Sequence, residues 1–396
     1  MTDPLRVDDE LKEQFNHLLG AMEDIVTFDP NREEGAYEAL NERIHQAITN
    51  KPILPRIVNE MNRSLLTVAI SHLNLETSHD VIKCLIQAYP APITITNEWY
   101  VYAEADRIPI YVMAGHPEHC VLLPWIAINY PRVLDHELCL ERPPVFGLLE
   151  MYAQRQRTRC TSTTLKQFFE AYPQALTQMH PIFGSVLISV LKLGECEADL
   201  FKWIAERCPS SNLLETDTFG NNPMHHACLL LSRTKTRNSN EICKYLIQKC
   251  PGSVRMADRF DRLAISYLQC VCAYRVVREV LVCLLRVYPE STDIQQPHDR
   301  QLPRFTGHSS SSIPFIQSIK PYLDEEKELK ETAASLKESI PSLTEAVSCT
   351  EDELMRSAFT VFDSWATSFI NSTEEKLQLI STQLQDMCNE GRGSNE

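Results

Sequence analysis

His116-Pro117-Glu118-His119-Cys120 gathers four metal-capable side chains within five residues, with the two histidines at a helical i, i+3 spacing. Zinc needs a closed tetrahedral donor set or three donors with an open position, and no second cluster completes this one. The 14 cysteines are scattered, with no CxxC pair, and most sit inside apolar runs such as Ile242-Cys243-Lys244-Tyr245-Leu246. Thiols so placed behave as small hydrophobes in a reducing compartment. Phosphate-cradling chemistry fares no better. Only 11 glycines occur in 396 residues, and P-loop, GxGxxG and GxSxG patterns are all absent. No catalytic constellation can be assembled from spacing, so no enzyme, metal or cofactor is expected.

The remaining chemistry suits contact with another macromolecule. Two basic combs, Arg155, Arg157 and Arg159 and then Arg233, Lys235 and Arg237, stand in polar stretches between apolar runs. Each is able to grip an acidic segment, or to be a solvated loop. Hydroxyls at Thr158, Thr161, Ser162 and Thr163 adjoin the first comb. An aromatic insert, Trp99-Tyr100-Val101-Tyr102, lies in an otherwise polar stretch. The formal charge of −15 argues against general nucleic-acid binding, which needs a concentrated basic face. Residues 1–50 carry 12 acidic and 4 basic groups and residues 321–396 carry 16 and 6, leaving a near-neutral middle. The longest apolar runs fall far short of a spanning helix. The acidic N-terminus has neither a secretory nor a transit pattern, which gives a cytoplasmic expectation with the nucleus open.

The elements that must position these groups follow from periodicity. Six apolar runs end in an aromatic or Cys followed by Pro: VIKCLIQAYP, CVLLPWIAINYP, LKQFFEAYP, LFKWIAERCP, ICKYLIQKCP and VLVCLLRVYP. Their prolines, at 90, 131, 173, 209, 251 and 289, are 41, 42, 36, 42 and 38 residues apart. The 3–4 spacing of Ile242, Tyr245, Leu246 and the stem of Lys249 predicts one buried helix stripe. The proline is a stop signal, since it cannot continue the helix and disfavours helical φ/ψ before it. Upstream of each run lies a second short helix, Pro223–Leu230 in the fifth unit, with Pro at its first turn. Few glycines and paired helices predict an all-α repeat solenoid, because one short pair cannot bury its own apolar face.

Asp217-Thr218-Phe219-Gly220-Asn221-Asn222-Pro223-Met224-His225-His226-Ala227 resembles the ankyrin repeat signature D-x-x-G-x-T-P-L-H-x-A, with Asn222 for Thr and Met224 for Leu. Asp258-Arg259-Phe260-Asp261-Arg262-Leu263-Ala264 aligns with it without gaps, having lost the Gly, Pro and His. Pro109-Ile110-Tyr111 and Gly115-His116 keep part of it; the first, third and fourth units keep only the apolar frame. The resemblance covers about residues 53–295, with the length beyond the family's 33 residues assigned to loops such as Ser232–Asn240. A HEAT-like solenoid is the structural alternative. The resemblance implies bracing roles for the Gly115-His116 turn and for His225. It also implies protein binding through turn tips and a concave surface, on which Thr218, Phe219, Arg259, Phe260 and Arg262 fall, with His226 at a variable, partner-facing position.

The resulting organisation is a helical cap at 1–50, the solenoid at 51–295, a Ser/Pro linker at 296–320 and an acidic helical module at 321–390. In the cap, helices at Asp8–Ile25 and Glu34–Ile48 are expected, the first with a stripe of Leu11, Phe15, Leu18, Leu19 and Met22. In the acidic module, Leu329, Ala333, Leu336, Ile340, Leu343 and Val347 follow a heptad, and Pro341 should break it. Two further stripes, Leu354 to Phe369 and Leu377 to Met387, predict three amphipathic helices, as an antiparallel bundle or a coiled coil. The function expected is a non-enzymatic scaffold for a protein partner. The alternative is a structural oligomer that self-associates through 321–390. Neither nucleic acid nor membrane is an expected partner.

Overall fold

A computed structural model describes residues 9–25, 34–52, 54–56, 64–72, 79–90, 109–134, 143–154, 158–180, 184–194, 196–268, 271, 274–289, 312–348 and 353–389. Among these the chain is all-α apart from one two-residue strand pair, β1 (Met179–His180) with β2 (Gly184–Ser185), and an isolated bridge between Ala257 and Leu263. No described helix is long and apolar enough to cross a membrane. The chain divides into two compact units, 1–212 and 213–396, a boundary between the fourth and fifth proline-ended runs.

Unit 1 holds α1 (Asp9–Ile25), α2 (Glu34–Asn50), α3 (Leu65–His72), α4 (His79–Ala88), α5 (Pro109–Ala114), α6 (Leu123–Asn129) and α7 (Pro131–Leu134). It continues with α8 (Pro144–Ala153), α9 (Ser162–Ala171), α10 (Val186–Leu193) and α11 (Ala198–Arg207). The first helices of successive pairs pack in order, α1 on α3, α3 on α5, α5 on α8 and α8 on α10. The second helices form another rank, with α2 on α4 and α6 on α9. The core between them is apolar and closed: Leu65, Ile82, Leu85, Ile110, Leu148 and Phe201 are all within 1% of full burial. Phe15, Leu18, Leu19 and Met22 of the α1 stripe are buried as expected, and Leu11 is half-buried.

Each proline-ended run is a helix that stops before its aromatic or Cys residue. Tyr130, Tyr172, Cys250 and Tyr288 have φ between −142° and −136° and ψ between 51° and 78°. The ring of the following proline pushes the preceding residue out of the helical region, and the chain turns at once into a new short helix, as in the 3-10 segments Pro173–Thr177 and Pro251–Arg255.

Unit 2 contains α12 (Pro223–Thr234), α13 (Arg237–Lys249), a 3-10 turn at Ala264–Tyr267, α14 (Arg275–Val287), α15 (Ser312–Ser348) and α16 (Glu353–Asn389). Three sequence expectations are corrected here. The loop expected at Ser232–Asn240 is absent: α12 runs to Thr234, Lys235 turns the chain with φ 53°, and Thr236 caps α13 by accepting from the Ser239 amide. The extra length is therefore helix. On α13 the buried face is Ile242, Cys243, Leu246 and Ile247, with Tyr245 half-buried and Lys249 exposed; a helix packed on both α12 and α14 needs a wider stripe than one seam provides.

The third correction concerns the C-terminal helices, which number two and not three. Pro341 does not end α15, which continues through both Pro321 and Pro341. The seam begins before the expected heptad, with Phe315, Ile319, Leu323 and Glu326 buried ahead of Ala333. The second and third stripes join into α16 because Ile370 and Thr373 are buried between them. A polar Thr at a core position hides that continuity from a hydrophobic pattern. The hairpin of α15 and α16 packs on α14. Arg286 of α14 bonds Glu326 at 2.9 Å, and Arg278 donates to the Met387 carbonyl at 3.0 Å while standing 4.7 Å from the Phe315 ring centre. The segment from 312 to 320, read as linker, is thus the first part of a helix docked on the last proline-ended run.

Candidate protein-binding site

Two turns of unit 2 are built alike. In the first, Asp217 Oδ1 accepts from the Phe219 amide at 2.9 Å and the Asn221 amide at 3.0 Å. In the second, Asp258 Oδ1 accepts from the Phe260 amide at 2.8 Å and the Arg262 amide at 3.0 Å. An aspartate that captures amides two and four residues on folds its own turn. Each turn then needs one left-handed residue. Gly220 serves at φ 80° in the first and Asp261 at φ 57° in the second, Asp being among the few residues that enter that region readily. The gapless alignment of 217–227 with 258–268 is therefore physical over the turn itself.

The two turns are fastened together. The Arg259 amide donates to the Phe219 carbonyl at 3.0 Å, and the one hydroxyl hydrogen of Tyr267 is shared between Asn221 Oδ1 at 3.1 Å and Asp258 Oδ2 at 3.2 Å. Phe219 and Phe260, at the tips, are 56% and 43% exposed. Rings held out on braced main chain bind with little loss of conformational freedom. Thr218 and Arg259 are exposed beside them. Arg262 is half-buried, donates to Asp258 Oδ2 at 2.8 Å and lies 4.7 Å from the Phe260 ring centre, a cation–π contact. It shapes the tip more than it offers a hand to a partner.

The two histidines behind the first tip have different tasks. Asn222 caps α12 by accepting from the His225 amide at 3.1 Å, and His225 Nδ1 accepts in return from the Asn222 amide at 3.3 Å. His225 Nε2 donates to the Arg262 carbonyl at 3.1 Å, and Nδ1 also lies 2.7 Å from Asn222 Oδ1. Burial pushes the His225 pKa down. This is the bracing role expected. His226, expected to face a partner, is corrected: it is 5% exposed and its Nε2 donates to Asp217 Oδ2 at 3.0 Å. The second oxygen of the buried turn carboxylate needs a donor, and His226 in the first turn of α12 supplies it.

The basic combs are partly engaged. Arg233 and Arg237 are exposed; Arg237 bonds Glu241 at 3.0 Å, and Lys235 Nζ stands 4.7 Å from the Tyr274 ring centre. Arg159 bonds Glu118 at 2.7 Å. Arg155 and Arg157, and the insert Trp99, Tyr100 and Tyr102, lie outside the described residues. In unit 1 the candidate metal cluster is a packed turn. His116 and His119 stack with ring centres 4.3 Å apart, His79 meets His119 edge-on at 5.5 Å, and His79 Nε2 donates to the Glu118 carbonyl at 3.0 Å. Burial lowers the His116 pKa. Among the described residues no group of three or more His, Cys, Asp or Glu is arranged to hold a metal ion.

Sequence reasoning named the tip residues but missed their organisers, Asp217 and Asp258, and the clasp residue Tyr267. The signal was present: Asp two residues before each Phe, at matching offsets 41 apart. No family model matches the chain, and comparison with curated proteins finds no match.

Proposed function

We propose that the chain is a non-enzymatic scaffold, an ankyrin-like repeat solenoid that binds a protein partner through its turn tips. The observation that carries this reading is the pair of exposed phenylalanines, Phe219 and Phe260, held on two aspartate-folded turns that share a backbone hydrogen bond. The ordered packing of α1, α3, α5, α8 and α10 supports a repeat architecture, and the likeness of the turns at 217–222 and 258–263 supports the ankyrin form of it over the HEAT form. Phe219 and Phe260 are the anchors, with Thr218, Arg259 and Arg262 around them.

The experiment places a photo-crosslinking phenylalanine analogue at position 219 in the full chain, in lysate of the source cells. The expected result is one dominant adduct that disappears when Phe260 is changed to Ser while the melting temperature stays put. Adducts that ignore the Phe260 change, or none above those from the same analogue at exposed Ile128, would overturn the proposal.

A further inference from the structure

Two buried thiols of unit 1 meet where successive repeats join. Cys120 opens the 3-10 turn that leads into α6, and Cys160 directly precedes Thr161, the cap of α9. Those two helices pack on each other. Both thiols are fully buried, and the backbone fixes each of them. The Cys120 amide donates to the His116 carbonyl at 3.1 Å, and the Cys160 amide donates to Thr158 Oγ1 at 3.4 Å. One acceptor ties the two segments together: the Pro117 carbonyl receives Cys120 Sγ at 3.5 Å and the Arg159 amide at 3.1 Å. The Cys160 hydrogen is shared between the Leu148 carbonyl at 3.5 Å and the Cys120 sulfur.

That sulfur–sulfur contact makes the pair unequal. It holds the Cys120 pKa down against the effect of burial, while contact and burial together push that of Cys160 up. Cys120 is therefore the thiol that ionises and Cys160 the one that keeps its proton. A thiolate with a second thiol against it is the arrangement of an attacking and a resolving sulfur. The cover is thin. Pro117 and Arg159 are exposed, and Arg159 bonds half-buried Glu118 at 2.7 Å. We propose that Cys120 and Cys160 form a peroxide-responsive pair whose disulfide staples the start of α6 to the start of α9. The Cys120 thiolate attacks one oxygen of hydrogen peroxide and the O–O bond breaks. Hydroxide leaves and takes up the proton that Cys120 released, so that Cys120 becomes a sulfenic acid. Cys160 Sγ then attacks Cys120 Sγ, the S–O bond breaks, and the hydroxyl departs as water with the Cys160 proton. Two thiols lose two electrons, and one peroxide gains them.

The test treats the reduced full-length chain with hydrogen peroxide, blocks the remaining thiols and maps disulfides in a tryptic digest by mass spectrometry. Cys120 should be joined to Cys160 about tenfold more than to any other cysteine, a preference of proximity that disappears in the urea-unfolded chain. The Arg159 amide should exchange more slowly after oxidation and regain its rate with dithiothreitol. C160S leaves a hydroxyl against Cys120 but no resolving sulfur, so Cys120 should stop at the sulfenic acid and be trapped by dimedone. C120S should leave Cys160 a thiol under the same treatment. Random pairing of Cys120, unchanged exchange at Arg159, or equal trapping of Cys160 in C120S would each sink the idea. So would a pair still reduced after half-buried Cys84 and Cys250 have been oxidised, because exposure alone would then decide which thiols react. The pair lies in unit 1 and the tips in unit 2, so neither result bears on the tip reading.

Discussion

The Asp258 carboxylate accepts from two amides, the Arg262 guanidinium and the Tyr267 hydroxyl while its side chain is fully buried. Removing an acceptor with that many donors strands them all, and a buried donor without a partner costs more than a mean hydrogen bond is worth. Asp258→Ala is therefore expected to destabilise unit 2 by roughly 3 kcal/mol, read by urea unfolding. Asp258→Asn keeps a carbonyl for the two amides and should cost clearly less. At this scale the sequence was informative about type and poor about facing. Phe219 and Phe260 were legible as turn-tip residues, and both are exposed, because hydrophobic residues in a turn have few ways to be buried. His226 was misplaced because a repeat signature describes a helix face, and the donor required by Asp217 Oδ2 is a three-dimensional demand. The stripe from Leu354 to Phe369 was seen, but not that Val361 and Trp365 within it would stay exposed while Ala366 and Ile370 are buried.

Among the elements, the paired turns depend on Gly220. Its φ is 80°, and a Cβ built there would lie 2.8 Å from the Arg259 amide nitrogen, which is engaged with the Phe219 carbonyl. Gly220→Ala must therefore both strain the turn and push the second turn away. The expected outcome is a loss of about 2 kcal/mol, with faster hydrogen exchange at the Arg259 amide than in the parent protein. Gly252, where an added Cβ would meet nothing within 4 Å, is the control and should cost well under half as much when changed to Ala. The helices themselves were legible. Six proline-ended runs gave six helices, because the steric rule at the residue before proline is local and needs no tertiary partner. Pro341 misled for the converse reason, and Pro321 lies inside the same helix. Their cost of about 3 kcal/mol each is local too, but α15 packs along α16 and, at its first part, on α14, and burial of that length of helix outweighs it.

Over the whole molecule, the described carboxylates held below their usual range all lie in unit 2. Burial pulls Asp258, Glu279 and Glu326 upward, yet hydrogen bonds and cations outweigh it in each case and hold all three below the usual carboxylate range. The groups responsible are Arg262 and the Phe260 amide for Asp258, Lys244 and Arg275 for Glu279, and Lys330 and Arg286 for Glu326. A depressed carboxylate stabilises fully above its unfolded value of about 4 and loses that contribution as pH falls through the folded value. The unfolding midpoint should accordingly hold between about pH 7 and 5 as far as these groups are concerned and drop below about pH 4. Hydrogen exchange should show unit 2 opening there. The double variant E279Q/E326Q should start less stable at neutral pH and lose less on acidification; an unchanged slope would mean that the α13–α14 and α14–α15 bridges do not govern it. Charge counting alone indicated an acidic tail, but not that Arg286 and Lys330 would gather part of it onto the last proline-ended helix.

The hydrogen bond from the Arg259 amide to the Phe219 carbonyl has one more consequence. It fixes the interval between the two tips by main chain alone, so that positions 218, 219, 259 and 260 behave like letters set on a rule of constant pitch. Substitution there leaves the line spacing as it is, so a change of surface chemistry at the tips needs no change of architecture.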